Sequence, residues 1–424
     1  MNTSSSYEIL APVGSYESLA AAIQAKADSI YFGIEGLNMR SRSSNNFSIA
    51  DLRQIAEKCK KHNIKSYLTV NTIIYDDDIL QMRQIIDAAK EAEISAIIAA
   101  DIAAMTYARE IGVAVHLSTQ LNISNIEALR FYAQFADVVV LARELNLEQV
   151  KEIHEQIIKQ QIKGPAGELI RIEMFCHGAL CMAVSGKCYL SLHEMDASAN
   201  RGSCNQICRR GYIVKDKETE IELEIDKQYI MSPKDLKTIH FLNKMLNAGV
   251  TVFKIEGRAR GAEYVRIVTE CYKEAIEAYQ NNMFSEEKIE DWDERLKRVF
   301  NRGFWNGYYL GQRLGEWSDK YGNEATEKKQ YIGKVIKYFS NLGVGEFLME
   351  TQSLNEGEKV LITGPTTGAL FLDAEDIRVD LKTVETAQKG DRFSMKVPEK
   401  VRPSDKLFKL ISKGDCGSGD CVKI

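Results

Sequence analysis

Residues 8–33 read EILAPVGSYESLAAAIQAKADSIYFG, and this stretch sets the pattern for the N-terminal part of the chain. The apolar run Glu8–Ala11 is followed by a helical pattern over Ser15–Lys26 and by a second apolar run, Ser29–Phe32. A short apolar run, an amphipathic stretch and another short apolar run are typical of strand, helix and strand in a parallel sheet. The stretch therefore predicts one β/α/β unit.

Six more apolar runs repeat this unit along the chain. They are Ser66–Val70, Ala96–Ala99, Ala114–Leu117, Val138–Leu141, Ile170–Phe175 and Val252–Ile255. Amphipathic stretches such as Ile49–Lys61, Asp78–Ala92 and Ile102–Ile111 lie between them. Eight strands in a segment of this length predict an α/β fold of the TIM-type (β/α)8 barrel class. A doubly wound sheet is the main alternative, but the count of eight and the lack of a G-x-G-x-x-G turn after the first strand argue against it.

The same pattern divides the chain into domains. We expect the barrel domain over residues 1–325, with an insertion at about residues 176–250 between the seventh and eighth strands. Over residues 326–412 the sequence changes to short alternating strands with glycine turns, which predicts a small C-terminal β-barrel domain. Residues 413–424 are glycine-rich and contain Cys416 and Cys421, and we expect a flexible tail there without an assigned role.

Composition excludes several classes of protein. The chain has 424 residues, of which 45% are hydrophobic and 27% charged, as in ordinary globular proteins. No apolar run is long enough to span a membrane, and the N-terminus lacks a signal-peptide pattern, so we expect a cytoplasmic protein. The net charge of −5 gives no overall attraction to nucleic acid, so any RNA contact needs a local basic patch.

Four of the nine cysteines lie in one short stretch, at Cys181, Cys188, Cys204 and Cys208. Their surroundings are rich in glycine and polar residues, which indicates a loop rather than a core. Four thiolates that converge on one point can hold an iron–sulfur cluster or a structural zinc ion. The spacing C-x6-C-x15-C-x3-C differs from the paired spacing of zinc ribbons, so an iron–sulfur cluster is favoured and zinc is the alternative.

Polar side chains are frequent where the predicted strands end, which is where TIM barrels carry their functional groups. In VFKIEGRARG, residues 252–261, Lys254, Glu256 and Arg258 alternate and are predicted to face one way. Such charge inside a barrel serves a ligand or is internally paired, and an internal salt-bridge layer is the alternative for each residue. The complete set is Glu8, Asn71, His116, Gln120, Arg143, Glu173, His177, Lys254, Glu256 and Arg258.

Three longer stretches resemble the sequence of a known family. Residues 173–191, EMFCHGALCMAVSGKCYLS, closely resemble the signature E-x-F-x2-G-[small]-[apolar]-C-x4-G-x-C-x-[apolar]-S of the U32 peptidase-like family. Residues 8–33 resemble the family's opening strand, helix and second strand. Residues 200–212, NRGSCNQICRRGY, resemble its later cysteine pair, usually C-x-x-P-C, with Ile207 in place of the proline. The resemblance covers nearly the whole chain.

This resemblance implies a function. The family takes its name from a collagenase-like protease activity, but its better-defined branches are oxygen-independent hydroxylases with a four-cysteine iron–sulfur cluster, expected to be 4Fe–4S. The length and the C-terminal β-domain make this chain most similar to the branch that forms 5-hydroxyuridine at the tRNA wobble position with prephenate. The implied partners are tRNA and prephenate as the oxygen donor. An electron donor and the oligomeric state are left open.

Candidate roles follow from this interpretation. We expect acid–base or catalytic roles for Glu8, His116, Glu173, His177 and Glu256. We expect substrate contacts from Asn71, Gln120, Arg143, Lys254, Arg258, Arg209 and Arg210. Arg143 and Arg258 suit the two carboxylates of prephenate, because guanidinium groups bind carboxylates in a bidentate way. Arg209 and Arg210 lie beside Cys208, where they are candidate phosphate contacts or ordinary solvated charges.

Two other functions stay open at this point. Peptide hydrolysis needs an activated nucleophile or a metal-bound water, yet the chain has no H-E-x-x-H or G-x-S-x-G motif. Cys176 and His177 are adjacent on a predicted strand and point to opposite faces, so they do not form a nucleophile–base pair. A carboxylate pair of Glu8 and Glu173 is the remaining route to a peptidase. The other alternative is an RNA-binding protein with a structural cluster, for which the stretch 396–413, with six basic and two acidic residues, is a weak candidate patch.

Overall fold

Eight parallel strands close into a barrel. The computed structural model describes residues 7–42, 45–212, 214–215, 218, 222–223, 231–318 and 322–413. The strands of its first part, in chain order, are β1 Glu8–Pro12, β2 Ser29–Phe32, β3 Lys65–Val70, β4 Ala96–Ala99, β5 Val115–Leu117, β6 Val138–Val140, β7 Arg171–Gly178, β8 Val214–Lys215, β9 Glu222–Leu223, β10 Asp235–Lys237 and β11 Val250–Ile255. Strands β1 to β7 pair in order, and β11 pairs with both β7 and β1. The predicted TIM-type barrel is confirmed.

The described residues form ten α-helices. They are α1 Tyr16–Gln24, α2 Leu52–Lys61, α3 Ile79–Glu91, α4 Ile102–Glu110, α5 Ile126–Tyr132, α6 Leu147–Gln160, α7 Leu190–Met195, α8 Leu242–Asn247, α9 Ala262–Gln280 and α10 Glu286–Arg298. Helix α2 buries Leu52, Ile55, Ala56 and Cys59, which share one face at helical spacing. Such faces pack on the barrel, and α1 begins at the Ser15 cap, whose side chain accepts from the Ser18 amide.

The barrel interior is only partly apolar. A small cluster fills its middle, formed by Leu10, Tyr31, Tyr67, Ala96, Ile98, Val138 and Val252. Polar and charged side chains, such as His116 and Glu8, occupy other inward positions. Glu8 faces inward together with Leu10, because alternate residues of a strand share a face, whereas Ile9 joins the outer core. The interior is therefore a packed core with polar layers at both ends.

The segment between β7 and β11 leaves the barrel and returns to it. Strand β10 pairs antiparallel with the end of β7, and β12 Phe304–Trp305 pairs parallel with β10. The sheet thus extends beyond the barrel at its seventh strand. The four clustered cysteines precede β10 on this segment.

A second body of antiparallel sheet follows the barrel. Its strands are β13 Glu327–Phe339, β14 Val344–Met349, β15 Leu354–Asn355, β16 Lys359–Gly364, β17 Gly368–Asp373, β18 Arg378–Val379, β19 Lys382–Thr383, β20 Thr386–Ala387, β21 Arg392–Lys396 and β22 Lys406–Ser412. Eight of them form one sheet in the order β17-β16-β22-β13-β14-β21-β18-β19, and β15 pairs with β20. Side chains from both halves of the sheet meet in a separate apolar core, including Ile332, Phe347, Ile362 and Phe393. The predicted C-terminal β-domain is confirmed, and the expected tail at 414–424 lies outside the described residues.

The β-domain packs on the outside of the barrel through α1 and α9. The Gln24 amide at the end of α1 donates to the Thr367 carbonyl at 2.9 Å and accepts from the Ala369 amide at 3.1 Å. Arg266 on α9 donates to the Ala369 carbonyl. None of the helices in the described ranges has the length and apolar character needed to cross a membrane.

Candidate functional site

A cavity of about 210 Å³ opens at the carboxyl ends of the barrel strands. The segments that follow β2, β3, β5, β6 and β11 all contribute side chains to its wall. Phe175 of β7 and the cysteine-bearing segment after it complete the lining. Because the carboxyl ends of parallel strands share one end of a barrel, residues distant in sequence meet here.

The four cysteines Cys181, Cys188, Cys204 and Cys208 all line this cavity. Their segment lies across the loops of the barrel and is fixed at several points. The Asn122 amide donates to the Ser185 carbonyl at 3.1 Å, and Arg201 pairs with Asp78. Gly202 has φ of +85°, and a methyl group there would overlap Ser41 and the Asn38 carbonyl. Only glycine fits this close approach.

The chemistry of the four cysteine thiols suits a soft metal centre. Burial raises the pKa of Cys208, Arg209 lowers it, and the neighbouring thiols of Cys181, Cys204 and Cys188 raise it further. All four cysteines line the same cavity. Four cysteine thiolates are the donor set of iron–sulfur clusters and of four-cysteine zinc sites. Among the described side chains, however, no three His, Cys, Asp or Glu residues are already arranged to hold a metal ion. The four cysteines are thus suitable ligands for an iron–sulfur cluster or a zinc ion, although their sulfur atoms do not converge on one point in this structure.

The cavity wall also carries several arginines. Arg143 lies 3.9 Å above the Phe175 ring, and its Nε is buried without a hydrogen-bond partner in the described chain. Arg258 is 5% exposed and donates from Nη1 to Thr69 Oγ1 at 3.1 Å. Burial lowers the pKa of Arg258 to about 10, so the guanidinium stays charged at neutral pH. Neither cation has a carboxylate within ion-pair distance among the described residues, which leaves both available to an anionic ligand.

Glu256 is the one carboxylate in the described lining of the cavity. Its Oε1 accepts from Arg40 Nη2 at 3.1 Å, and its Oε2 accepts from the Tyr31 hydroxyl at 3.2 Å. Burial alone would raise its pKa, but the charges of Arg40, Arg143 and Arg258 lower it below the usual value. Glu256 is therefore ionised, and it orients Arg40 and Tyr31 at the edge of the site.

Lys254 forms the floor of the cavity together with a buried partner. Its Nζ is 2.7 Å from Glu173 Oε1, and both side chains are nearly inaccessible. The ammonium group also lies 4.7 Å from the centroid of the Tyr31 ring. Burial raises the pKa of Glu173, while Lys254 opposes that shift, and Glu173 Oε2 has no hydrogen-bond partner among the residues that the structure describes. The pair links the cavity to the polar interior of the barrel.

A row of amides and hydroxyls lines the wall between these charges. Asn71 Nδ2 donates to Ser118 Oγ at 3.1 Å and to Gln120 Oε1 at 3.4 Å, and Ser118 donates to Gln120. Asn71 Oδ1 accepts from the Met39 amide, which fixes the side chain. Such amides can pair with the hydrogen-bonding edge of a planar ring.

Comparison with known proteins identifies the family. The model of peptidase family U32 matches residues 14–319. The chain belongs to the peptidase U32 family. It is 68% identical over 404 residues to a protein of Porphyromonas gingivalis (strain ATCC BAA-308 / W83) named "Collagenase", with 95% of this chain and 98% of that protein covered.

Two further U32 relatives carry names from RNA modification. The chain is 32% identical over 371 residues to "tRNA hydroxylation protein P1" of Bacillus subtilis (strain 168), which covers 84% of this chain and 83% of that protein. It is also 32% identical over 362 residues to the "23S rRNA 5-hydroxycytidine C2501 synthase" of Escherichia coli (strain K12), with 82% of this chain and 52% of that protein covered.

The U32 barrel brings together most of the predicted site residues. Those that line the cavity are Asn71, Gln120, Arg143, Lys254, Glu256, Arg258, Arg209 and the four cysteines. Glu173 lies directly behind Lys254. The alternation read from residues 252–261 correctly predicted that Lys254, Glu256 and Arg258 share one side.

Glu8 lies elsewhere, which corrects its predicted place. It is the first residue of β1, so it lies at the amino end of the barrel, opposite the cavity. There it accepts from Arg171 at 2.9 Å, from the Tyr67 hydroxyl at 2.7 Å and from Lys65 at 3.5 Å. This is the internal salt-bridge layer that the sequence left open as the alternative.

Both predicted histidines also lie away from the cavity. His116 is inside the barrel, with its ring centroid 4.3 Å from that of Tyr67. His177 faces outward and contacts Tyr264 and Tyr272 of α9. Burial lowers the pKa of each histidine to about 3, so both are neutral at physiological pH. Their surroundings are those of core polar residues rather than of acid–base catalysts.

The two arginines beside Cys208 differ from each other. Arg209 donates to the Ser232 hydroxyl and to the carbonyls of Pro233 and Leu180, at 2.6 to 2.9 Å. Its guanidinium thus holds the cysteine-bearing segment on the barrel and has little capacity for phosphate. Arg210 is exposed, does not line the cavity and contacts Met195 Sδ at 3.7 Å.

Sequence reasoning missed three arginines of the site, namely Arg40, Arg260 and Arg302. Arg40 lies in the loop after β2, and Arg302 lies just before β12, so neither belongs to a strand pattern. Arg260 continues the alternation of Lys254, Glu256 and Arg258 by one further step in GRARG. That repeat was a usable signal for Arg260, although the intervening Gly257 and Ala259 also line the cavity.

Proposed function

We propose that this U32 chain hydroxylates C5 of the tRNA wobble uridine without molecular oxygen, with prephenate as oxygen donor and an iron–sulfur cluster as redox centre. The observation that carries the proposal is the composition of one cavity, in which four cysteines and several arginines line the same space. The names of the relatives from Bacillus subtilis and Escherichia coli support an RNA base as substrate.

The arginines supply the site for the oxygen donor. Prephenate carries two carboxylates, and Arg143 and Arg258 offer two guanidinium groups without carboxylate partners in the described chain. Bidentate pairing to guanidinium groups fixes both the position and the orientation of such a molecule. Glu256 keeps Arg40 aligned beside them, and the apolar ring of Phe175 backs Arg143.

The cysteines supply the redox centre. Cys181, Cys188, Cys204 and Cys208 would hold the cluster, and when bound it supplies one-electron oxidation and reduction. The protein's own part is to keep this site enclosed by the cysteine-bearing segment, which Arg209 and Gly202 hold against the barrel. Enclosure excludes water from reactive species.

The base would enter as a single extruded nucleotide. A cavity of about 210 Å³ is too small for a folded stem, so the target nucleotide must leave its stack. Asn71 and Gln120 offer amides to the edge of a pyrimidine. Lys254, held by Glu173, contributes an ammonium group to the floor beneath the base.

Peptide hydrolysis is the second candidate, favoured by the name of the Porphyromonas gingivalis relative at 68% identity. The described lining of the cavity contains no histidine, and its one carboxylate, Glu256, is engaged by Arg40 and Tyr31. The proposed carboxylate pair of Glu8 and Glu173 does not line the cavity, because both side chains are buried in the barrel, where Glu8 pairs with Arg171 and Glu173 pairs with Lys254. A hydrolase would need a base that the described part of this cavity does not offer.

Nucleoside mass spectrometry of total tRNA tests the proposal. A strain that lacks the gene, and any redundant enzyme, is complemented with the unaltered chain, Cys188→Ser, Arg258→Ala or the control Arg109→Ala. Arg109 is exposed in the last turn of α4, away from the cavity. We expect 5-hydroxyuridine derivatives with the unaltered chain and the control only, and Arg258→Ala should still bind iron.

Two results would contradict the proposal. If Cys188→Ser restores the modified nucleosides, the cluster is not needed for the reaction. If the tRNA of the deletion strain is unchanged while purified protein cleaves gelatin, and Cys188→Ser cleaves it equally well, the peptidase candidate is correct instead.

A further inference from the structure

A second group of cations lies in the same cavity and takes no part in binding the oxygen donor as proposed. Arg260 follows β11, and its Cζ lies 3.4 Å from the centroid of the Phe300 ring. Arg302 lies 4.9 Å from the centroid of the same ring. Two guanidinium groups therefore stack on one aromatic side chain at the cavity wall.

The charges of this group do not balance. Arg302 contacts Asp235 at 3.5 Å, whereas Arg260 has no carboxylate or carbonyl partner in the described ranges of the chain. Burial lowers the pKa of Arg260, and the nearby charge of Arg302 lowers it further. The carboxylates of Asp235 and Glu256 influence Arg260 but form their own ion pairs with Arg302 and Arg40, so the Arg260 guanidinium can still pair with an anion.

The backbone around the group is fixed before any ligand binds. Asn301 donates to the Val299 carbonyl at 3.0 Å and accepts from the Gly303 amide at 3.1 Å, which locks the loop that carries Phe300 and Arg302. The Arg260 amide closes a turn to the Gly257 carbonyl at 2.8 Å. The helix terminus itself is not the site, because the Glu263 carboxylate folds back on Gly261 at the start of α9. An anion would therefore bind to the guanidinium groups and not to the helix terminus.

We propose that Arg260 and Arg302, stacked on Phe300, form a phosphate subsite for the backbone of the RNA whose base enters the cavity. The inference rests on the proposed function in that the substrate is RNA. Guanidinium groups pair with phosphate in a bidentate way. The position also agrees with barrel enzymes generally, which bind phosphate near the ends of their seventh and eighth strands. A phosphate there would anchor the nucleotide while Asn71 and Gln120 meet its base.

Binding of a tRNA transcript to the purified, metal-loaded chain tests this subsite. Fluorescence anisotropy at several salt concentrations compares the unaltered chain, Arg260→Gln, Arg302→Gln and the control Arg109→Gln. We expect each cavity variant to raise the Kd about tenfold and to reduce the salt slope of log K by about 0.7 to 1, as one phosphate contact is lost. Arg260→Lys keeps the positive charge but loses the bidentate guanidinium geometry. Its Kd should therefore lie between those of the unaltered chain and Arg260→Gln.

Iron content, prephenate affinity and melting temperature are measured on the same samples and should not change. Unchanged tRNA affinity in both variants would overturn the phosphate subsite but leave the proposed function standing. Loss of iron from both variants would show that the arginines serve the cluster instead. Weaker prephenate binding with unchanged tRNA affinity would assign them to the oxygen donor. Failure of the unaltered chain to bind tRNA overturns both this inference and the RNA substrate of the proposed function.

Discussion

Glu8 and Glu256 are two glutamates of the same barrel whose carboxylates have different tasks. Glu8 is enclosed by Arg171, Lys65 and Tyr67 at the amino end, away from the cavity. Glu256 lies at the carboxyl end on the cavity wall, and Arg40 and Tyr31 hold it there. Both carboxylates are ionised because nearby cations outweigh the effect of burial. Only the second is placed to influence a ligand.

The ion pair of Glu8 makes stability depend on pH. Burial would raise the pKa of Glu8, but Arg171, Lys65 and the Tyr67 hydrogen bond lower it from 4.5 to about 2. Since the folded-state pKa is lowered, the stabilisation is complete above pH 4.5 and is lost as the pH falls towards 2. The shift corresponds to about 3 kcal/mol at pH 7. We expect Glu8→Gln to lower the free energy of unfolding by roughly this amount.

Denaturant unfolding at pH 7 and pH 3 checks this prediction. The difference between Glu8→Gln and the unaltered chain should shrink to less than about half at pH 3, where much of the linkage is lost. A difference that is equal at both pH values would mean that the ionisation of Glu8 does not stabilise the fold.

At the level of elements, the cysteine-bearing segment is held in place by contacts rather than by a core of its own. Its helix α7 exposes Leu192 and Met195, and Tyr189 before it is 76% exposed. The segment depends instead on close approach at Gly202, on the Arg201–Asp78 pair and on Arg209. We therefore expect that weakening these contacts affects the proposed cluster site before it affects the barrel.

Gly202→Ala tests this expectation. The substitution places a methyl group against Ser41 and Asn38 and strains a residue with φ of +85°. We expect the iron content per chain to fall several-fold while the main unfolding transition moves little, because the barrel core is not touched. Metal analysis and calorimetry measure the two effects.

The matched control is Gly167→Ala. Gly167 has φ of +82°, which gives similar backbone strain, but no described atom lies within 4 Å of an added methyl group. Its iron content should equal that of the unaltered chain. If both variants lose iron equally, strain in general and not the docking of the segment is responsible.

At the scale of the whole molecule, the β-domain is attached to the barrel by apolar side chains such as Leu361 and Phe371 and by a set of polar contacts around Gly368. The Gln24 side chain bonds to the backbone on both sides of this glycine, and Arg266 adds a bond to Ala369. Gly368 has φ of +69° and approaches Gln24 so closely that no side chain fits there. The two bodies are thereby held in one orientation.

Gln24→Ala should loosen this attachment. Two hydrogen bonds to backbone are lost, which costs about 1 to 3 kcal/mol. We expect faster amide hydrogen exchange in β17 and α1 and earlier proteolysis between the two bodies, with the barrel core unchanged. Gln54→Ala, at an exposed position on α2, is the control and should show neither effect. Equal exchange in both variants would mean that apolar contacts alone hold the domains together.

The sequence was sufficient for the architecture and for part of the site. Short buried strands and amphipathic helices repeat with periods that depend only on local geometry, so the barrel and the later β-domain were predictable from residues 8–33 onward. The alternation after Val252 likewise predicted that Lys254, Glu256 and Arg258 lie on the same side of the chain. The four cysteines were predicted to belong together because they are close in sequence.

Only the tertiary structure decided which end and which face each polar residue occupies. Glu8 begins its strand and Glu256 follows one, and this difference of a few residues separates opposite ends of the barrel. His177 packs against α9 because the pairing of β7 with β11 shifts register between Phe175 and His177, an irregularity that the alternation of the sequence does not reveal. Arg40 and Arg302 reach the cavity from loops far apart in the chain. Periodicity is a local property, whereas a site forms where distant segments meet, and that meeting is fixed by the closure of the barrel.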